Sequence, residues 1–480
     1  MNEITFYGQD FTPISKAKVK VKGPEGRKEM KSLTEPIDGC GNLTYIELLE
    51  QFVKDYKIPK EDSDDEAAGR SLHSYFNNEM WFGRWVGVFR NKKFQVKTTK
   101  ETFDVTLEIS CRFDTDKNAY FLLAMLLCLE DQELRFIENE AVNISFPQVM
   151  DIFLLFMFKY QLSDAAKKGI FRRYQRFENN DSRPHGTIDI ARHIRENMGL
   201  NNGKIAYHYR ELTANNPVNR LILAAYKRLG EKYPTLCEKH INQDERVYST
   251  LNMLQTELGW SKTNLRSIVK DNLRPVTHPY FSEYEALRRT CLKILRDEGV
   301  SIFDAESSEE TEAIYFNITR LWEKYIEYQF RKLEPSHRFK LSPQVSKNFL
   351  TGLFENKSAR PDFVIQKDGE NFAILDAKFK ESWEDYDYRA NYKFLTKDIY
   401  KCIRDMHLFK TQRTGVIFPT KGGEILRSGT NPNFDLVGVH VPKVEENPSF
   451  EAWSENLGEN VRGILKKYLG KLDTSAASQQ

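Results

Sequence analysis

The chain has 480 residues, 40% of them hydrophobic and 29% charged, and its net charge at pH 7 is only +2. This length is enough for two to four domains with sizeable cores. The small net charge excludes a globally basic nucleic-acid-binding protein, so any such surface must be local. The six cysteines never occur as Cys-x-x-Cys, which argues against a zinc ribbon and favours a reducing, cytoplasmic environment.

Membrane and nucleotide-binding classes are also disfavoured. The first residues lack the basic and apolar blocks of a signal peptide. The longest apolar run, Tyr120–Leu129, is too short to span a bilayer. No Gly-x-x-x-x-Gly-Lys-Ser/Thr sequence occurs, so the chain is expected to bind no nucleotide itself.

Residues 1–160 are predicted to form a β-rich N-terminal domain. Short strand-like segments such as Ile4–Tyr7 alternate with turns, and a helix is predicted around Leu43–Tyr56. Trp81–Thr106 alternates apolar and polar residues, as half-buried strands do. The domain carries no legible chemistry, so docking of a partner is the default hypothesis for it.

Residues 161–304 are predicted to form a mainly helical middle region with a local basic patch. Its basic residues are interleaved with aromatic ones, a composition that suits a phosphate backbone and its neighbouring bases. The candidate DNA contacts here are Arg172, Arg173, Arg176 and Arg183. The alternative is a solvated helix face whose aromatic side lies in the core. Further along, Asn216-Pro217 predicts a helix start.

Residues 305–470 contain the most informative stretch, Arg360–Lys380. Two apolar runs flank Asp368-Gly369, which predicts a β-hairpin. Asp376 and Lys378 are two positions apart on the second strand, so their side chains leave the same face. If the loop holds three residues, Asp362 faces Asp376 with Cβ atoms roughly 4.5–5.5 Å apart.

Two carboxylates at that separation repel unless a cation lies between them, and a divalent metal suits that position. Mg²⁺, for which Mn²⁺ can substitute, would be held by Asp362, Asp376 and the Ala377 carbonyl. It would polarise a phosphate oxygen and lower the pKa of a bound water. Lys378 would orient that water or stabilise the developing negative charge.

The alternative is an ordinary exposed hairpin with a surface ion pair. A bare acid-x-lysine triplet means little in so charged a chain, since Glu29-Met30-Lys31 also fits it. Three features favour the metal site: Arg-Pro-Asp precedes the first strand, the spacing brings the two acids together, and Asp376 ends an apolar run.

These residues resemble the PD-(D/E)xK nuclease motif, with Pro361-Asp362 as its first half and Asp376-Ala377-Lys378 as its second. Upstream, Arg183-Pro184-His185-Gly186 and Asn216-Pro217-Val218-Asn219-Arg220 are similar to the middle region of the McrC family. McrC is the nuclease subunit of the McrBC modification-dependent restriction system. A helical glutamate and the PD-(D/E)xK core follow in the family's order, so the resemblance runs from about residue 165 to 445.

The resemblance implies an α/β fold: a PD-(D/E)xK core with a mixed sheet flanked by helices, preceded by the helical middle region and the β-rich N-terminal domain. It implies the DNA endonuclease subunit of a GTP-dependent restriction system for phage defence, partnered by a McrB-like AAA+ GTPase ring. It also implies that Glu323, on a predicted helix Ala313–Leu333, completes the metal site. A surface pair of Glu323 with Arg320 is the alternative.

Two positions depart from the family pattern. Lys401 replaces the usual Gln of an Asp-x-Tyr-Gln element, and His185 replaces the second arginine of Arg-x-Arg-Gly. Lys401 would contact phosphate as a charge rather than as a two-way amide. Lys380 is a further candidate DNA contact.

Residues 471–480 are predicted to be a disordered tail.

Two other functions stay open. One is a non-cleaving adapter that activates a AAA+ GTPase partner. The other is a motor-independent nuclease acting on branched DNA or RNA.

Overall fold

The computed structural model describes residues 3–22, 28–38, 40–56, 71–76, 78–115, 118–128, 146–197, 203–259, 265–295, 311–333, 339–350, 357–380, 383, 388–430, 433–447 and 449–477. The chain divides into two compact units. The larger contains Met1–Met150 and Glu309–Gln480, and the smaller contains Asp151–Ser308. The predicted boundary between residues 304 and 305 lies outside the described residues.

The described strands are β1 (Glu3–Gln9), β2 (Lys18–Lys22), β3 (Lys28–Lys31), β4 (His73–Phe76), β5 (Glu79–Phe82), β6 (Trp85–Gln95), β7 (Thr102–Ser110), β8 (Arg173–Asp181), β9 (Thr187–Ile188), β10 (Ile205–Thr213), β11 (Thr311–Asn317), β12 (Phe339–Pro343), β13 (Lys347–Leu350), β14 (Lys357–Ala359), β15 (Phe363–Lys367), β16 (Glu370–Ala377), β17 (Arg413–Thr420), β18 (Ile425–Ser428) and β19 (Phe434–His440). The described helices are α1 (Tyr45–Asp55), α2 (Tyr120–Leu127), α3 (Phe146–Ala166), α4 (Ile190–Asn197), α5 (Pro217–Lys232), α6 (Pro234–Leu236), α7 (Glu245–Leu258), α8 (Leu265–Asp271), α9 (Glu283–Leu295), α10 (Ile318–Arg331), α11 (Tyr388–Phe409) and α12 (Phe450–Ala477).

The first sheet of the larger unit has the strand order β11-β6-β7-β1-β2-β3 within the described part of the chain. Strands β1 and β7 run parallel, so the loops that follow them leave the same end of the sheet. Helix α1 begins with a capping box in which Thr44 and Glu47 satisfy each other's backbone N–H groups. Its apolar face joins the core formed by the inward-facing residues of β1, β6 and β7.

Strand β11 corrects the predicted helix Ala313–Leu333. Residues 311–317 pair antiparallel with β6, and the Tyr315 ring lies 5.4 and 5.7 Å from the ring centroids of Trp85 and Phe89. The helix starts only after Asn317, whose side chain accepts from two N–H groups of the first turn of α10. Because β11 completes this sheet, residues 1–150 and 309–480 share one unit, whereas the sequence pattern predicts separate domains for them.

The second sheet of the larger unit is mixed, and among the described strands its order is β12-β15-β16-β17-β19-β18. Strands β16, β17 and β19 are parallel, and the remaining pairs are antiparallel. Helix α11 packs against β16 and β17, α10 packs against β12 and β16, and α12 packs against β19. A mixed α/β architecture is therefore confirmed.

The hairpin of β15 and β16 reaches its predicted register by an unpredicted route. Its loop holds two residues, Asp368 and Gly369, both with positive φ (49° and 89°), rather than three. A bulge between Ile365 and Gln366 restores the offset, and Phe363 pairs with Leu375. The next pair outward is Asp362 and Asp376, as the spacing predicts.

The smaller unit combines helices with a small sheet of order β8-β10-β9 in the described residues. The Asn216 side chain caps α5 by accepting from the Asn219 N–H at 3.1 Å, as predicted. Arg173 and Arg176 lie on β8, whose side chains are mostly exposed, so the helical alternative does not apply to these two arginines.

Helix α12 corrects the predicted disordered tail for residues 471–477, since it continues to Ala477 and its Leu472 side chain is buried in the core. Residues 478–480 of that prediction lie outside the described residues. The six cysteines are all buried free thiols. Within the described ranges, no helix combines the length and apolarity that crossing a membrane requires.

Candidate active site

Two aspartates meet at the open end of the β15–β16 hairpin. Asp376 lies near the carboxyl end of β16, and only 1% of its surface is exposed. Asp362 immediately precedes β15, and its carboxyl group is close enough to hydrogen-bond that of Asp376. The Ala377 N–H donates to Asp362 Oδ2 at 2.7 Å. Since N–H and C=O of one strand residue point to the same side, the Ala377 carbonyl also lies on the side of Asp362.

Two lysines contact Asp376 from different elements. Lys378 follows β16 and forms an ion pair with Asp376 Oδ2. Lys401 comes from α11, and its Nζ lies 3.1 and 3.4 Å from the two carboxylate oxygens of Asp376. Helix α11 packs on the strand face that carries Asp376, which brings together residues that are 25 positions apart.

Burial and the neighbouring charges shift the pKa values of the two aspartates in opposite directions. Burial raises the pKa of Asp362 well above its usual range, and the neighbouring Asp376 carboxylate raises it further. Burial alone would also raise the pKa of Asp376, but the Lys378 and Lys401 ammonium groups lower it below its usual range. The carboxylates in turn keep the pKa of both lysines above the ordinary value, despite burial. Of the two aspartates, Asp362 is therefore the one that keeps its proton to the higher pH.

This donor set fits a magnesium ion. Mg²⁺ prefers oxygen ligands and is usually bound by one or two carboxylates together with several waters and substrate phosphates. Asp362 and Asp376 supply two carboxylates in contact, and the Ala377 carbonyl lies on the same side. In the described part of the chain, no group of three or more His, Cys, Asp or Glu side chains is arranged to hold a metal. Within those described residues, further ligands would be backbone, water or substrate oxygens.

Glu323 lies beside this pair but is tied to another residue. Its carboxylate accepts from the Gln344 side chain, and the Gln344 backbone N–H donates to the Asp362 carbonyl at 2.9 Å. Arg360 donates to the other end of the same Gln344 amide. Glu323 is thus linked to Asp362 through one intervening residue.

The predicted DNA contacts are dispersed. In the larger unit, Lys380 forms an ion pair with Asp398 of α11. In the smaller unit, Arg172 pairs with Glu257, and Arg176 lies 3.1 Å from a Glu178 oxygen. The Arg173 guanidinium lies 5.4 Å from the Phe171 ring centroid, and Arg183 is exposed in the loop after β8.

Sequence reasoning missed two residues near the aspartates. Gln344 has no motif signal, although its φ of 49° marks an unusual backbone position. Asp405 is 1% exposed, one turn of α11 beyond Lys401, and burial raises its pKa. Helical spacing of four from Lys401 is the signal that would have found it.

Comparisons with known proteins complete these findings. A family model described as McrBC 5-methylcytosine restriction system component matches residues 83–419. One similar solved structure is a refined half-complex from a tetradecameric assembly of Thermococcus gammatolerans McrB AAA+ hexamers with bound McrC. Its sequence is 14% identical to this chain, the match covers 97% of this chain and 99% of the other, and the TM-score is 0.45. A cryo-EM structure of the Thermococcus gammatolerans McrBC complex is 15% identical over 70% of this chain and 89% of that chain, with a TM-score of 0.29. No curated protein matches the chain.

Proposed function

Because the chain belongs to the McrBC family of 5-methylcytosine restriction system components, we propose that it is the nuclease subunit of such a system. The reaction is hydrolysis of DNA phosphodiester bonds with Mg²⁺, for which Mn²⁺ can substitute. The core around β15 and β16 is of the PD-(D/E)xK type. The partner is a McrB-like AAA+ GTPase ring that supplies nucleotide hydrolysis.

One observation carries the nuclease proposal: Asp362 and Asp376 converge with two ammonium groups at the open end of one hairpin. A structural ion pair needs one acid and one base. Two acids in contact, Asp376 buried and Asp362 half-buried, are unfavourable for folding, because the charge of one raises the pKa of the other. Such pairs are retained where a cation or a reacting proton uses them.

Each residue then has a separate role. Asp362 and Asp376 would hold the metal, with the Ala377 carbonyl beside them, and Glu323 would reach it through water. The bound ion supplies a Lewis acid for the phosphate and a water of lowered pKa. Lys378 orients the nucleophilic water or stabilises negative charge on the phosphate. Lys401 holds the Asp376 carboxylate in place and presents its remaining N–H groups to a phosphate oxygen.

The DNA surface and the partner surface are further parts of the proposal. Arg172, Arg173, Arg176 and Arg183 of the smaller unit, with Lys380 and Lys401 of the larger one, would contact the phosphate backbone. The β-rich N-terminal residues would dock with the GTPase ring. This assignment rests on the resemblance of the sequence motifs to McrC.

Cleavage of modified plasmid by the purified chain, its McrB-like partner, GTP and Mg²⁺ tests the proposal. Wild type should cut, and Lys378→Ala should not. Lys367→Ala is the matched control, because Lys367 lies on the same hairpin and packs over Phe339 and Phe372 at its closed end. It should cut like wild type.

Two outcomes would replace the proposal. If wild type and Lys378→Ala leave the plasmid equally intact while both stimulate GTP hydrolysis, the chain is a non-cleaving adapter. The lack of a third clustered acid among the described residues is the observation that favours this alternative. Cutting of branched DNA or RNA without partner or nucleotide would instead indicate a motor-independent nuclease.

A further inference from the structure

A buried arginine of the first sheet contacts the residue next to Lys378. Arg112 follows β7, and only 5% of its surface is exposed. Its guanidinium carbon lies 4.7 Å from the ring centroid of Phe379, and 5.1 and 5.4 Å from those of Phe11 and Phe113. These distances are in the range of cation–π contacts. All four residues belong to the larger unit.

Hydrogen bonds do not explain why this cation is buried. The Arg112 backbone N–H donates to Asp10 Oδ1 at 2.6 Å, and Asp10 is fully buried. The Arg112 side-chain atoms Nε and Nη2 and the Asp10 atom Oδ2 have no hydrogen-bond partner among the described residues. Burial raises the pKa of Asp10 to about 6, and the Arg112 charge opposes this rise, so this carboxylate balances part of the guanidinium charge. The guanidinium also lies over the three aromatic rings.

Those rings pack around the residues that directly follow β16, the strand that carries Asp376. Phe379 is 1% exposed, and its ring centroid lies 5.5 Å from that of Phe113 and 6.3 Å from that of Trp322. The Lys378 N–H donates to the Ile417 carbonyl at 2.9 Å, and the Trp322 indole N–H donates to the same carbonyl at 3.3 Å. The Lys378 backbone is therefore fixed on one side by β17 and on the other by Phe379.

We propose that Arg112 is a positioning residue that aims the Lys378 ammonium by stacking on Phe379, so that the first sheet supports the cleavage site. The proposal rests on the nuclease function proposed above. The loops after the parallel strands β1 and β7 supply Phe11, Arg112 and Phe113. A displacement of these loops would be transmitted to Lys378 through the Phe379 ring.

Arg112→Met tests the proposal, because it keeps length and apolar contact but removes the planar cation. In the complete complex, kcat for plasmid cleavage should fall about 10- to 100-fold with KM unchanged. Arg112→Lys restores the charge without the planar face and should recover only part of kcat. Arg90→Met is the matched control, because it removes an ion pair with Asp104 in the same sheet, at 2.6 Å. It should leave kcat unchanged.

Two readouts that do not need cleavage accompany these kinetics. Mn²⁺ affinity, measured on the DNA-free protein, should be equal in wild type and Arg112→Met. Hydrogen exchange of the Lys378 amide should be faster in Arg112→Met and unchanged in Arg90→Met. If Arg112→Met does not fold, Phe379→Leu removes the ring from the same contact and should give the same loss of kcat and the same faster exchange.

An unchanged kcat with unchanged Lys378 exchange would overturn the proposal. So would a fall in kcat that matches only the loss of folded protein. If wild type with its partner cuts no DNA, the nuclease function fails, and Lys378 exchange alone then decides whether Arg112 positions this lysine.

Discussion

Two buried aspartates lie on opposite faces of the same mixed sheet, because Asp376 is level with Leu436, the residue after Asp435. Asp435 is 0% exposed near the start of β19, and Arg413 at the start of β17 donates to both of its oxygens at 2.8 and 2.6 Å. Asp376 is 1% exposed near the end of β16 and faces two lysines and a second aspartate.

The difference lies in how completely each charge is matched. Asp435 has one planar, bidentate partner, and the Ser428 hydroxyl also donates to it. Asp376 shares its lysines with Asp362, so the cluster holds two acids, and the pKa of Asp362 is raised. In sheets with parallel strands, ligands bind outside the carboxyl ends of the strands. Asp376 lies near the carboxyl end of β16, whereas Asp435 lies near the start of β19 on the opposite face of the sheet. The Arg413–Asp435 pair is therefore expected to stabilise the fold, whereas Asp362 and Asp376 form the proposed ligand site.

The largest expected effect separates the two aspartates. Asp376→Asn should lower cleavage by about a thousandfold or more, since it removes a proposed metal ligand. Its stability should change little, because Asp362 can then ionise beside the two lysines. Asp435→Asn should instead lower the free energy of unfolding by about 3–5 kcal/mol, because Arg413 is left without its partner.

Plasmid cleavage and denaturant unfolding, measured for both variants, test this prediction. Asp435→Asn, assayed where it is folded, should cut like wild type and serves as the control. A loss of stability in Asp376→Asn as large as that in Asp435→Asn would mean that Asp376 is a structural acid.

The same contrast shows what the sequence could predict. Asp376 and Lys378 are two residues apart on one strand, so their shared face follows from the strand period alone. Arg413 and Asp435 are 22 residues apart and meet only through the parallel register of β17 and β19. That register has no local signal. The hairpin register was predicted correctly from a three-residue loop, although the structure reaches it with a two-residue loop and a bulge.

The incorrect sequence predictions also involve strand pairing between residues that are far apart in the chain. Residues 313–317 continue an apparent helical pattern, yet they pair with β6, which lies far earlier in the chain. Tertiary contacts override local propensity in such segments. For the same reason, sequence patterns could not reveal the contact between Arg112 and Phe379. Lys401 was selected from a motif, and the packing of α11 on β16 explains how it reaches Asp376.

Metal binding should stabilise the protein through one of the two aspartate sites only. With Mg²⁺ at about one hundred times its Kd, the free energy of unfolding of wild type should rise by about 2.7 kcal/mol. Asp362→Asn should lose this increment, because a carboxylate of the proposed site is gone. Asp435→Asn should keep it.

Thermal or denaturant unfolding with and without Mg²⁺, in the absence of DNA, measures the increment. Equal increments in wild type and Asp362→Asn would place the metal elsewhere.

Lys401 should have a smaller effect than Asp376. Lys401→Met should lower cleavage about 10- to 100-fold, since it removes one charged contact to Asp376 and to the phosphate. Lys401→Gln should retain more activity, because its amide N–H can still donate to Asp376. Arg413→Met is the corresponding change at the Asp435 site and should lower stability without lowering cleavage per folded molecule.

Initial cleavage rates for the three variants, normalised to folded protein, test this order. Equal rates for Lys401→Met and wild type would remove Lys401 from the site.

The smallest effect is the pH dependence of the metal-free protein. The pKa of Asp362 is higher in the folded protein than its unfolded value of 3.8, because burial and Asp376 disfavour its ionised form. The folded state therefore binds this proton more tightly, and the resulting stability is fully present below pH 3.8 and lost as pH rises through the folded pKa. A tenfold difference in proton affinity between the folded and unfolded states corresponds to about 1.4 kcal/mol of this stability.

Asp362→Asn should lack this loss, so it should gain stability relative to wild type as pH rises above about 4 in the presence of a chelator. Urea unfolding at several pH values measures the difference, and Asp435→Asn should show no such trend relative to wild type. Curves for wild type and Asp362→Asn that stay parallel across this range would mean that Asp362 ionises freely. The Asp376 and Asp435 sites would then differ in geometry but not in electrostatic strain.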